Sequence, residues 1–235
     1  MVSLLLAAIG AVVGLALDEL AVRLAQPPED GDGEQEVKAP SMHSEAGSLL
    51  LSRELSEQGW MRRLLIVGAT AGLFAAIGAR YDSPSHLAIV SAYACVLLLC
   101  AATDLLAYRV PNAVTYPAIV GALIIGAALP DAGIIEAIGG GLLAGGVLLL
   151  PALVTRGAGM GMGDVKLAAF VGLALGFENA VPALLVMALA GGAAAALLLV
   201  SGARRRGQPI PYAPFISAGG LAALLLRGTA FVDLA

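Results

Sequence analysis

The chain has 235 residues, of which 59% are hydrophobic and 13% charged, with a net charge of −4 and a mean hydropathy of +0.91. That apolar bulk excludes an ordinary soluble domain and fits an all-α polytopic membrane protein. The negative balance argues against a nucleic-acid partner.

The first apolar segment is 2–22. No basic stretch precedes it, and Asp18, Glu19 and Arg23 follow where a cleavage site would need small residues, so it reads as a span within a first transmembrane helix, 1–25, and not as a removed leader. Residues 26–62 form a short cytoplasmic loop. It carries Glu29, Asp30, Asp32, Glu34, Glu36, Glu45, Glu54 and Glu57 against Lys38 and Arg53. Its first half has the composition of a linker. Its second half has Leu49, Leu50 and Leu55 near helical spacing, with Trp60 beside Arg62 and Arg63, and reads as an interfacial helix. Further apolar segments follow at 63–79, 86–106, 113–130, 133–154, 164–177, 179–201 and 211–227. With a span needing about 20 residues, this predicts eight transmembrane helices, seven of them in a core covering 63–235. The segment 164–177 is short and opens with Asp164 and Lys166. Cys95 and Cys100 share one apolar run and read as small core residues, with no paired-cysteine zinc motif. The glycine clusters 139–146 and 190–194 read as helix-packing surfaces. Pro209, Pro211 and Pro214 in PIPYAPF (209–215) predict an irregular start to the last span. His43 and His86 are given no role, and no metal or other cofactor is called for.

Charge sets the orientation. With the N-terminus outside, Arg23, Lys38, Arg53, Arg62, Arg63, Arg109, Arg156, Lys166, Arg204, Arg205 and Arg206 all fall on the cytoplasmic side. Only Arg80 and Arg227 fall outside. Asp104 then ends the third span and Asp164 opens the sixth, both near the cytoplasmic face.

Those two aspartates are the candidate chemistry. An acid at the edge of hydrocarbon is costly to keep and is a functional-site hypothesis by default. Two carboxyls meeting across a bundle can activate water between them, one ionised and one protonated. In TDLLAYRVPN (103–112), Asp104 precedes the interface-seeking Tyr108 and Arg109, and Pro111 breaks the helix before Asn112. In GAGMGMGDVKL (157–167), Gly157, Gly159, Gly161 and Gly163 alternate up to Asp164. Glycines there would let an extended peptide lie close to the acid. A phosphate loop is excluded, because no Gly-Lys-Ser/Thr follows and no strand precedes. Asp164 also suits a helix N-terminus, and Lys166 can either hold a carboxylate ionised or snorkel to headgroups.

DLLAYRVPN and GMGDVKL together resemble the motifs of the type IV prepilin peptidases and preflagellin peptidases, the A24 membrane aspartic peptidases. PYAPF resembles that family's Pro-Phe-Gly-Pro-Phe segment, and GAVVGLALDELAVRL (10–24) resembles its Gly-x-x-x-Gly-Ser-Phe-Leu-Asn opening, with Asp18 where that opening has Asn. The resemblance implies an endopeptidase of the inner (cytoplasmic) membrane that removes a short basic leader from prepilin-like or pseudopilin precursors. Asp104 and Asp164 would be catalytic, with Gly161, Gly163, Lys166, Pro111 and Asn112 shaping the site. Many bacterial members carry two Cys-x-x-Cys pairs in a methyltransferase insert after the first span. The 26–62 loop has no cysteine, so methyltransfer is not expected. Its acids could instead attract a basic leader at short range. Presenilin-type proteases also use Gly-x-Gly-Asp, but their other aspartate follows Tyr, whereas Thr103 precedes Asp104. Two rivals stand beside the peptidase: a proton- or cation-coupled transporter using the same aspartates, and an inactive peptidase relative.

Overall fold

The apolar segments fold into helices. A computed structural model describes residues 2–25, 45–128, 133–154, 160–201, 211–229 and 232–233. The acidic run Glu29–Glu36, Lys38, His43, Asp131, Arg156, Gly157, Gly159, Arg204, Arg205, Arg206 and Pro209 lie outside the described residues. Among the described residues the helices are α1 (Val2–Ala25), α2 (Glu45–Arg80), α3 (Pro84–Ala107), α4 (Asn112–Ala128), α5 (Ile134–Val154), α6 (Met162–Val200) and α7 (Ala213–Leu226). A short antiparallel pair, β1 (Gly228–Thr229) and β2 (Val232–Asp233), follows. By length and composition, five segments can cross a membrane: Val2–Ala25, Gly59–Arg80, Pro84–Ala107, Ile134–Val154 and Met162–Leu197. Asn112–Ala128 and Ala213–Leu226 are shorter apolar helices. The chain is therefore an all-α, multi-pass membrane protein.

One boundary differs from expectation. The interfacial helix and the second span are one rod, α2, because no Pro interrupts 45–80. The expected sixth and seventh spans are the two arms of α6, which are separated by a non-helical residue. The arms meet at Gly176, whose φ of 78° and ψ of 172° are closed to other residues. The chain folds back there: Ala168 and Val171 of the first arm line one small apolar void with Ala183 and Met187 of the second. Nearly every residue from Val165 to Leu175 is buried or half-buried. A helix apolar all round is a central one, and this arm is shielded by its neighbours.

Small residues bring α5 onto that arm. A Cβ on Gly140 or on Gly172 would run into the other residue's backbone carbonyl, so the two helices cross almost backbone to backbone. Tyr93, Leu97 and Cys100 of α3, Leu148 of α5, Phe170 and Val171 of α6, and Ile216 and Leu224 of α7 share the core. The rings of Tyr93 and Phe170 meet edge to face at 5.4 Å. α7 is fixed at both ends: Ser217 Oγ donates to the Leu97 carbonyl at 2.8 Å, and the Tyr81 hydroxyl donates to the Leu224 carbonyl. Arg80 donates to the carbonyls of Leu225 and Leu226, so carbonyls that the helix leaves open at its C-terminus gain partners.

Candidate active site

α3 stops just past Asp104 because Tyr108 takes the left-handed conformation, φ 52° and ψ 38°, and its N–H donates to the Asp104 carbonyl at 2.8 Å. Among the described residues Tyr108 is the non-glycine with positive φ. Such a residue costs roughly 1–2 kcal/mol, and here it turns the chain sharply beside a buried acid. Pro111 then starts α4, its carbonyl accepting the N–H groups of Val114 and Thr115, both at 3.1 Å. On the facing element α6 begins at Met162, and Asp164 sits in its first turn. The Asp164 carboxylate reaches back to the Gly161 N–H at 3.3 Å while its own N–H donates to the Gly161 carbonyl at 3.1 Å. The carboxylate thus supplies one half of a capping box, satisfying the N–H of the residue just before the helix.

The two ends enclose a cavity of about 250 Å³. Asp104, Asn112, Gly161, Gly163, Asp164 and Lys166 all line it, and Tyr108, Arg109, Val110 and Met162 complete the wall. Pro111 does not line it; it holds the turn between Val110 and Asn112, which do. Asp104 is 4% exposed and Asp164 8%. Asp104 Oδ2 accepts the Ala213 N–H at 3.0 Å. Asp164 Oδ1 is buried and has no hydrogen-bond partner among the described residues.

Lys166 bonds neither acid. Its Nζ donates to Asn112 Oδ1 at 2.9 Å and lies 4.5 Å from the Tyr116 ring centroid, which ties α6 to α4. The glycines divide. A Cβ on Gly163 would approach Val110 Cβ to 2.9 Å, whereas one on Gly161 would meet Asp164 Oδ2 only at 3.6 Å. Gly163 is therefore needed for packing, and Gly161 leaves room over the carboxylate. Among the described residues no three His, Cys, Asp or Glu side chains converge to hold a metal ion. What the cavity offers is a pair of buried carboxyls from two helices, the equipment for general acid–base chemistry on a bound water.

Two features were missed by sequence reasoning. One is the Ala213 amide, whose signal was the prolines that mark where α7 begins. The other is Asp18, 1% exposed, which accepts Arg62 Nε at 2.8 Å, Arg62 Nη2 at 3.3 Å and Arg63 Nε at 3.3 Å. The Gly-x-x-x-Gly spacing of Gly10 and Gly14 lets α1 lie against α2, with a Cβ on Gly14 only 2.8 Å from Val67 Cα, and Asp18 fastens the same face. Read from sequence, the two arginines were interface anchors and Asp18 merely replaced an Asn.

Residues 91–197 match the model of the type IV leader peptidase family. Over 174 residues the chain is 33% identical to the prepilin leader peptidase/N-methyltransferase of Burkholderia pseudomallei (strain 1026b), covering 72% of this chain and 56% of that protein. The chain belongs to the type IV leader peptidase family. The matched span carries both motif aspartates, Asp104 and Asp164, together with Lys166. A second relative in the family, the prepilin leader peptidase/N-methyltransferase of Bacillus subtilis (strain 168), is 33% identical over 161 residues, covering 66% of this chain and 62% of that protein. The chain thus spans less than two-thirds of the length of these relatives. No solved structure matches it.

Proposed function

We propose that this chain is an aspartic endopeptidase of the inner (cytoplasmic) membrane that cuts the short basic leader from type IV prepilin-like precursors. The observation that carries the reading is the single cavity lined by two buried aspartates from separate helices, Asp104 and Asp164, within the family-matched span. One carboxylate takes a proton from water as the water oxygen attacks the scissile carbonyl. The other carboxyl donates a proton to the carbonyl oxygen, and the pair then returns protons as the carbon–nitrogen bond breaks. The clustering of Lys and Arg on one side supports a cytoplasmic cavity and an external N-terminus. Methyltransfer is not proposed: Cys95 and Cys100, the chain's two cysteines, both lie in α3, leaving none for the paired-cysteine insert.

The test is cleavage of a prepilin-like precursor by the full chain in liposomes, with wild type, Asp104→Asn and Asp164→Asn compared. Each amide is expected to lower kcat by about 10²–10⁴-fold, the usual weight of one positioned acid or base. An amide variant that cuts at the wild-type rate overturns the dyad. Aspartate-dependent proton flux without any cleavage would select the transporter instead.

A further inference from the structure

The two carboxyls are not held alike. The first turn of a helix leaves its leading N–H groups without helical partners. In α7 those belong to residues 213–216. Pro214 has no N–H, and the amides of Phe215 and Ile216 donate to the Tyr212 carbonyl at 3.0 and 3.2 Å. The remaining one, on Ala213, points at Asp104 Oδ2. Ala213 is fully buried, so water does not compete for that donor. An amide only donates and a carboxylate oxygen only accepts, and the positive end of the helix favours negative charge.

Asp164 is served differently. It also lies in a first helical turn, but the N–H it takes is longer, at 3.3 Å, and its Oδ1 is buried and unpartnered among the described residues. A bare ionised oxygen in that place is expensive. A protonated one presents an O–H to the cavity. We infer that the N-terminal turn of α7 holds Asp104 as the proton acceptor of the pair, leaving Asp164 as the proton donor. The inference rests on the peptidase reading proposed above. Asp104 takes one proton from water while the water oxygen bonds the scissile carbon, and Asp164 gives its proton to the carbonyl oxygen. As the tetrahedral species collapses, protonated Asp104 delivers its proton to the leaving amine and Asp164 recovers one from a hydroxyl, so both end as they began. Ala213 is a positioning residue, and the PYAPF segment becomes part of the catalytic apparatus.

The ionisable groups that share the cavity with Asp104 are Asp164 and Lys166 on α6, Tyr108 just past α3 and Arg109 in the turn that follows; Cys100 lies one turn earlier on α3, and the Tyr212 ring packs on Phe215. Arg62 borders another face of α3, the one carrying Leu98, Ala101 and Leu105.

The experiment replaces an amide by an ester, deleting one N–H and keeping the side chain: Ala213→lactic acid, with Phe215→phenyllactic acid as the control that loses a bond to Tyr212 instead. Cleavage is followed against pH. The Ala213 ester is expected to lower kcat about 10- to 100-fold, the weight of a hydrogen bond to a charged group, with KM within about twofold. Its acidic limb moves to higher pH, because the ionised acceptor has lost a donor, and its alkaline limb stays. The limbs belong to the pair, yet the argument survives coupling: both states flanking the alkaline limb contain ionised Asp104 if Asp104 is the acceptor. Movement of the alkaline limb reverses the roles, and equal behaviour of the two esters removes the positioning. A second measurement needs no ester. Infrared difference spectra at the optimum pH should lose the protonated-carboxyl band in Asp164→Asn and keep it in Asp104→Asn; the opposite pattern overturns the assignment. Failure of the peptidase reading itself looks different: the wild type cuts no precursor, or an amide variant cuts at the wild-type rate.

Discussion

Gly163→Ala tests whether the cavity depends on a backbone contact. The added Cβ would sit 2.9 Å from Val110 Cβ and 3.5 Å from its Cγ2, where ordinary contact begins near 3.4 Å. The turn at 110 and the start of α6 must therefore part by about half an ångström. Asp164 is the next residue on α6, and Asp104 precedes Val110 by less than two helical turns, so the displacement falls on the dyad itself. A misplacement of 1 Å can cost about 10²-fold in rate; half of that distance predicts about 10-fold in kcat. Stability should change little, because the gain of up to about 1 kcal/mol from Gly to Ala inside a helix is set against the cost of parting the two segments. Val110→Gly removes both opposing carbons, and in the Gly163→Ala background it should return most of the lost kcat, whereas Val110→Ala keeps the Cβ and should not. Precursor cleavage gives kcat and KM, and thermal unfolding in detergent gives stability. Wild-type turnover in Gly163→Ala, or no recovery with Val110→Gly in a folded protein, refutes the reasoning.

Gly140→Ala should lower stability by about 1–3 kcal/mol, the cost of overpacking, because the obstacle is the Gly172 carbonyl and not a movable side chain; Gly146→Ala, with open space around it, should be neutral in the same unfolding titration. At the α1–α2 contact, Arg62→Met should destabilise more than Asp18→Asn. The first leaves a fully buried carboxylate with Arg63 alone, at a cost approaching ~3 kcal/mol, while the second leaves two partly exposed arginines that headgroups can serve, at about 1–2 kcal/mol. Burial pushes the Tyr81 phenol up from 10.0 to about 12, so between those values the folded chain holds a proton that the unfolded chain has released. Stability is full below pH 10 and falls as pH climbs toward 12; a Tyr81→Phe variant should lack that decline in unfolding scans.

Hydrophobic length and turn chemistry made most helices legible, since apolar runs bounded by Pro, Gly and charge leave few other structures in a bilayer. Asp104 and Asp164 stood out for the same reason, as acids at the ends of such runs. What escaped was of two kinds. The break near Gly176 was legible from Glu178 and Asn179, at the junction of the apolar runs 164–177 and 179–201, but which residue takes the non-helical conformation was not, since one more glycine among thirty is not a signal. The short first arm of α6 looked like a weak span because hydropathy cannot separate shielding by lipid from shielding by protein. The Ala213 contact escaped because a backbone amide has no side-chain identity, and the Asp18 cluster because its partners lie 44 and 45 residues away. The partner of Lys166 was left open between a carboxylate and headgroups; its ammonium donates instead to Asn112 Oδ1, 54 residues away in the chain.

Three helix ends meet at the cavity: the C-terminus of α3 and the N-termini of α6 and α7. The acids are met there by amides, Gly161 on Asp164 and Ala213 on Asp104, while Lys166 donates to Asn112, Arg109 donates to the Leu24 carbonyl, and Arg62 and Arg63 pair with Asp18. The distinction matters chemically. A lysine or arginine paired to a carboxylate holds it as a full countercharge, and both proton transfers would then work against that attraction. An N–H donor aligns the oxygen and favours negative charge only in part, so the carboxyl can gain and lose a proton within one turnover.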